Sequence, residues 1–98
     1  MTRNECVAIL TRCASFDRRT VGQADVTAWL LVLGDLTYPE CDAAVISYYK
    51  ENREWIMPSD IRGRVMEERR AWLQANPEAG PQRPELVPPW KQQKEIEG

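Results

Sequence analysis

The stretch EWIMPSDIRGRV, residues 54–65, decides how the chain is organised. It runs Trp55, Ile56 and Met57 straight into Pro58 and then turns to charged, helix-like sequence. Proline holds the preceding residue extended and is harmless at the first position of a helix. Met57 therefore reads as a turn and Pro58 as a helix start. Asp60 falls in the first turn, where unpaired N–H groups and the positive dipole end favour a carboxylate. Ile61, Val65 and Trp72 share one face with Glu68 at its edge, which predicts a helix over 58–76 that stops before Pro77. Trp55 and Ile56 are expected to fold beneath it as a staple against the core.

Working back from that turn, every block shows helical spacing. Cys41, Ala44, Val45 and Tyr48 make one face of a helix over 38–52, opened by Thr37 and Glu40 as a capping box with Pro39 in the first turn. Val26, Trp29, Leu30 and Leu33 repeat the pattern over 21–34, where Thr20 and Gln23 have capping-box form and Gly34 serves as the stop. Cys6, Ile9, Leu10 and Cys13, extended by Phe16, predict a first helix over 3–16, capped by Thr2 or Asn4. Only a short DLT turn separates the second and third helices, so these two are expected to pack antiparallel. No alternating strand pattern competes. The expected fold is all-α, a four-helix domain over residues 1–76.

Beyond residue 76 the composition changes. Five of the seven prolines lie in PEAGPQRPELVPPWKQQKEIEG, residues 77–98. No helix survives that spacing, and the segment reads as a largely disordered, proline-rich tail with polyproline-like stretches. Within it Leu86, Val87, Pro88, Pro89, Trp90 and Ile96 are the candidate partner-binding residues. Tryptophan commonly anchors interfaces, and flanking prolines lower the cost of ordering on binding.

Composition excludes several classes. The chain has 98 residues, a net charge of −2 and no histidine. Without histidine no side chain has an ordinary pKa suited to general base chemistry near neutrality. The glycines form no phosphate-cradling motif. Cys6, Cys13 and Cys41 form no C-x-x-C pair, so no metal site is expected and the thiols read as small buried apolar groups. The sequence predicts no enzyme, no cofactor and no membrane span. With no signal peptide visible, a cytoplasmic location is expected.

Arginine makes up 10 of the 13 basic residues, and four arginines stand in residues 1–19. Arg18, Arg19, Arg62, Arg64, Arg69 and Arg70 are the candidate contacts for nucleic acid or an acidic partner. On helix four, however, Asp60 and Glu68 lie four residues either side of Arg64. The expected surface there is solvated and self-paired, with at most weak DNA contact.

With the helices placed, DVTAWLLVLGDLTYPECDAAVISYYKENREWIMPSDIRGRV, residues 25–65, resembles the phage proteins of the replicative-helicase loader and inhibitor family. The matching positions are Trp29, Leu33, Asp35, Ala44, Val45, Tyr48, Tyr49, Pro58, Asp60, Ile61 and Arg62, and the likeness extends over about residues 1–70. The resemblance implies a helical N-terminal domain with a disordered C-terminal segment that contacts the hexameric replicative helicase. It further implies restraint of the helicase ATPase and delivery to an origin-bound phage initiator, in the host bacterial cytoplasm. Carried over, the helicase contact falls to the tail around Trp90. The alternatives are a small phage DNA-binding regulator, excisionase-like or repressor-like, or an inhibitor of another host protein.

Overall fold

A computed structural model describes residues 1–79 and 85–92. Its α-helices are α1 (Arg3–Asp17), α2 (Gln23–Leu33), α3 (Tyr38–Glu51) and α4 (Pro58–Ala75), followed by a 3₁₀ turn at Pro89–Lys91. No strand occurs among the described residues. The chain divides into two compact units, Met1–Val65 and Met66–Gly98. The first turns of α4 belong to the first unit and the remainder to the second.

Each helix of the first unit starts where local chemistry satisfies its orphan N–H groups. Thr2 caps α1 reciprocally: its hydroxyl accepts from the Glu5 N–H at 3.1 Å, and its own N–H donates to Glu5 Oε1 at 2.9 Å. Thr37 and Glu40 do the same for α3, with Pro39 in the first turn. α4 begins at Pro58, and the Met57 N–H donates to Asp60 Oδ2 at 2.9 Å.

α2 departs from expectation. It starts at Gln23, and its N-cap is Gly22, not Thr20. The Gly22 N–H donates to Asp25 Oδ2 at 2.8 Å, so an acid in the first turn replaces the Thr20–Gln23 box. Thr37→Ala is therefore expected to cost about 1 kcal/mol in urea unfolding, and Thr20→Ala to be near neutral. Gly34 ends the helix by close approach, without a left-handed φ. At φ −60° its N–H meets the Leu30 carbonyl, and an added Cβ would stand 2.7 Å from that oxygen.

Among the described residues, the buried apolar side chains all lie in the first unit. This core draws Cys6, Ile9, Leu10 and Cys13 from α1, Val26, Trp29 and Leu33 from α2, and Cys41, Ala44, Val45 and Tyr48 from α3. Leu36 and Ile56 enter from the turns, and Ile61 and Val65 from α4. α1 is the shared partner, packing against both α2 and α3. The expected antiparallel packing of α2 along α3 is not found at comparable extent. Each of the two turns a stripe to α1 instead.

Two aromatic residues are corrected by the structure. Phe16 does not extend the buried stripe of α1; it is exposed and rests on the ring of Tyr49 at 5.0 Å. Trp55 does not fold into the core beside Ile56. Ile56 is fully buried, whereas Trp55 is 57% exposed.

Candidate functional site

α1 closes through Arg18, whose φ of 63° places it in the left-handed region, with its N–H on the Ala14 carbonyl at 2.8 Å. That reversal swings Arg19 inward. Its guanidinium grips Asp17 through Nε and Nη2, at 2.9 and 2.7 Å, and donates to the Ile56 carbonyl at 2.8 Å. Its Cζ lies over two indole rings, 5.1 Å from the Trp29 centroid and 5.0 Å from that of Trp55. The Tyr49 hydroxyl completes the network, donating to Asp17 at 2.6 Å and accepting from the Ile56 N–H at 2.9 Å.

The two charged side chains of this clasp are buried, with exposures of 8% for Arg19 and 2% for Asp17. Burial acts to raise the Asp17 carboxyl, but hydrogen bonds from Arg19 and Tyr49 outweigh it and hold the group below its ordinary range. Burial and the carboxylate acceptor push the Tyr49 hydroxyl up. Asp17 was not singled out from sequence, and Tyr49 was named only as a position of the family resemblance. The only local signal was an acid two residues before an arginine.

Four more of the candidate arginines are engaged. Arg62 makes a two-pronged bond to Asp35 at 2.7 and 2.8 Å and donates to the Val32 carbonyl at 2.9 Å. Arg64 reaches Ser47 at 2.7 Å and Glu51 at 3.2 Å while covering the Tyr48 ring. Its partners are thus on α3, not Asp60 and Glu68 of its own helix. Arg70 makes an exposed pair with Glu67. Arg69 lies 4.9 Å over the ring of Trp90. Arg18, at the α1 terminus, is exposed.

In the second unit, Leu86, Val87, Pro88 and Trp90 are half-buried and Pro89 is exposed. Trp90 meets Trp72 edge to face at 5.6 Å. Ile96 lies outside the described residues. The structure therefore brings Trp90 together with Arg69 and leaves the other candidate arginines in a separate unit or on an exposed helix face.

Apolar side chains also face outward on the first unit. α2 is apolar nearly all round, and its outer side shows Ala28, Leu31 and Val32, with Leu31 84% exposed. A helix of that composition usually finds a second covering surface. Met57 and Trp55 are exposed at the α3–α4 turn.

The thiols carry a different signature. Cys6, Cys13 and Cys41 are all buried, and burial pushes the Cys13 thiol up to about 12. At neutral pH such a group is no nucleophile. An unfolded chain releases this proton near the ordinary value of 9.0, whereas the folded chain retains it to about 12. Stability contributed by the protonated thiol is thus complete below pH 9 and lost as pH rises through that window. The urea midpoint should fall between about pH 9 and about pH 11, and less steeply in Cys13→Ala. Equal slopes would remove the assignment to Cys13. Among the described residues no three Cys, Asp or Glu side chains converge as metal ligands would, and no helix is long and apolar enough to cross a membrane.

Compared with known proteins, the chain matches no family model, no curated protein and no solved structure.

Proposed function

We propose that this chain is a phage DNA-replication accessory protein that binds the replicative helicase by protein–protein contact, as loader or inhibitor, without bond chemistry of its own. The supporting observation is the character of the surface. Arg19, Arg62 and Arg64 bond within the first unit, while Leu31, Val32, Trp55 and Met57 face outward. Such a surface suits another protein better than a phosphate backbone. The choice of helicase follows from the resemblance over residues 25–65. In this reading residues 77–98 act as a proline-rich tail carrying a linear motif around Trp90, and the protein works in the host cytoplasm, with a phage initiator as a further partner.

Size-exclusion chromatography of the full chain with the host replicative helicase tests the reading. Co-elution at micromolar concentration is expected, together with slower ATP hydrolysis by the helicase. Trp90→Ala should weaken the complex. Absence of any complex would reject the assignment. The same preparation titrated with duplex DNA separates the competing class: a DNA-binding regulator would show affinity falling steeply with salt, whereas the adaptor reading expects no such dependence.

A further inference from the structure

α2 carries an uncharged stripe on the side away from the core. Val26, Trp29 and Leu33 turn inward. Ala24, Ala28 and Leu31, spaced i, i+4 and i+7, are exposed opposite them, with Val32 along one edge. Leu31 is 84% exposed, and Asp25 is the single charged residue of the helix. A helix apolar on both sides ordinarily has cover on both. The stripe is also uneven from end to end. Its N-terminal half is small, at Ala24 and Ala28, and its C-terminal half is large, at Leu31 and Val32. The Val32 edge is uneven in charge. Asp25 stands on it in the first turn, accepting from the Gly22 N–H at 2.8 Å. At the far end of that edge Arg62, its side chain 36% exposed, donates to the Val32 carbonyl at 2.9 Å and to Asp35 at 2.7 Å.

Turned end for end, this pattern complements itself. A second α2, antiparallel about a two-fold axis beside Ala28, sets Leu31 of each copy over Ala24 of the other. Large side chains then interdigitate with small ones, as in packed interiors. The same operation keeps the edge and exchanges its ends, so Arg62 of each copy meets Asp25 of the other. Asp35 and Val32 leave N–H donors of Arg62 over for that second carboxylate. A parallel pair would instead oppose Leu31 to Leu31 and Asp25 to Asp25, acid to acid. We propose that the outer side of α2 is the interface of an antiparallel, two-fold symmetric homodimer of this chain. Leu31 is its apolar anchor, and two Asp25–Arg62 pairs form its rim. A single helix pair is small for an interface, so association is reversible and of micromolar order. The dimer does not rest on the helicase reading.

Sedimentation equilibrium of the full-length chain tests the interface. A monomer–dimer equilibrium with a micromolar dissociation constant is expected. Leu31→Glu should weaken it at least about 100-fold, because the change acts once in each copy and removes a buried leucine each time. Leu31 is exposed in the single chain, so this variant should keep the circular dichroism spectrum and urea midpoint of dilute wild type. Ala28→Glu, beside the axis, should separate the copies likewise. Wild type that stays monomeric at about 1 mM, or Leu31→Glu that dimerises as wild type does, overturns the dimer.

The orientation is read from the rim. Asp25→Lys and Arg62→Glu each set like charges against one another twice, and each should weaken the dimer about 10-fold. Combined in one chain, the two changes restore opposite charges at both rim pairs and should regain most of that loss. In a parallel dimer the double variant would gain nothing, so a double variant no tighter than the singles overturns the antiparallel register. Should wild type be monomeric and Leu31→Glu lose co-elution with the helicase, the face belongs to that partner and the dimer is overturned. A dimer that forms while no chain binds helicase supports the interface and overturns the helicase assignment alone.

Discussion

Asp17→Ala is expected to lower stability by about 3–5 kcal/mol, the range for removing one partner of a buried ion pair. Small domains have total stabilities of about 5–15 kcal/mol, so the variant should be close to unfolded in mild urea. The loss arises from what remains. Arg19 would stay charged against Trp29 and Trp55, with the Ile56 carbonyl as its surviving acceptor within the clasp. The Tyr49 hydroxyl would lose its acceptor at the same time. Arg19→Lys should not be silent either, because an ammonium cannot reproduce the fork on Asp17 or the planar guanidinium's contact with the Trp29 and Trp55 rings.

The double change Asp17→Ala with Arg19→Met removes both charges and fills the space against the rings with a flexible apolar chain. It should recover most of the lost stability, as replacements of buried pairs by apolar residues do. Urea unfolding of the four chains by circular dichroism forms a double-mutant cycle. An Asp17→Ala loss under about 1 kcal/mol would show that the clasp contributes little. The pH dependence gives a second reading. With Asp17 held below its ordinary range, its contribution is complete above about pH 4 and lost as pH falls through the lower folded value. Asp17→Asn should flatten that acid limb.

The clasp also shows where sequence stops being legible. The spacing of Cys6, Ile9, Leu10 and Cys13, of Cys41, Ala44, Val45 and Tyr48, and of Ile61 and Val65 predicted buried faces, and all of these residues are buried. Helical periodicity is a local property, and burial follows it directly. Arg19 was read only as half of a basic pair, because its surroundings come from Asp17, Trp29, Tyr49 and the 55–56 turn. Those positions converge only after the chain has folded. The same holds on α4, where local spacing offered Asp60 and Glu68 to Arg64, yet Ser47 and Glu51 receive it. A neighbour supplied by a packed helix can displace the i,i+4 partner, whose contribution is only about 0.2–0.5 kcal/mol. The start of α2 failed for a related reason. Two motifs, Thr20–Gln23 and Gly22–Asp25, compete within a few residues, and the tertiary path of the chain decides between them.

The 54–65 stretch is where adjacent residues should differ most. Ile56→Ala is expected to cost about 2–5 kcal/mol, since its side chain is fully buried and the surrounding helices cannot collapse onto the space left. Its backbone N–H and carbonyl are held by Tyr49 and Arg19, so the turn cannot shift to refill the cavity without breaking the clasp. Trp55 is larger, yet it is 57% exposed and its described contact is one face on Arg19. Trp55→Ala should cost about 1 kcal/mol, the scale of a cation–π contact at a partly exposed site. Chevron analysis of both variants by circular dichroism would rank them. If Trp55→Ala proved as damaging as Ile56→Ala, Trp55 would be part of the core, and the outward-facing surface assigned to this turn would have to be withdrawn.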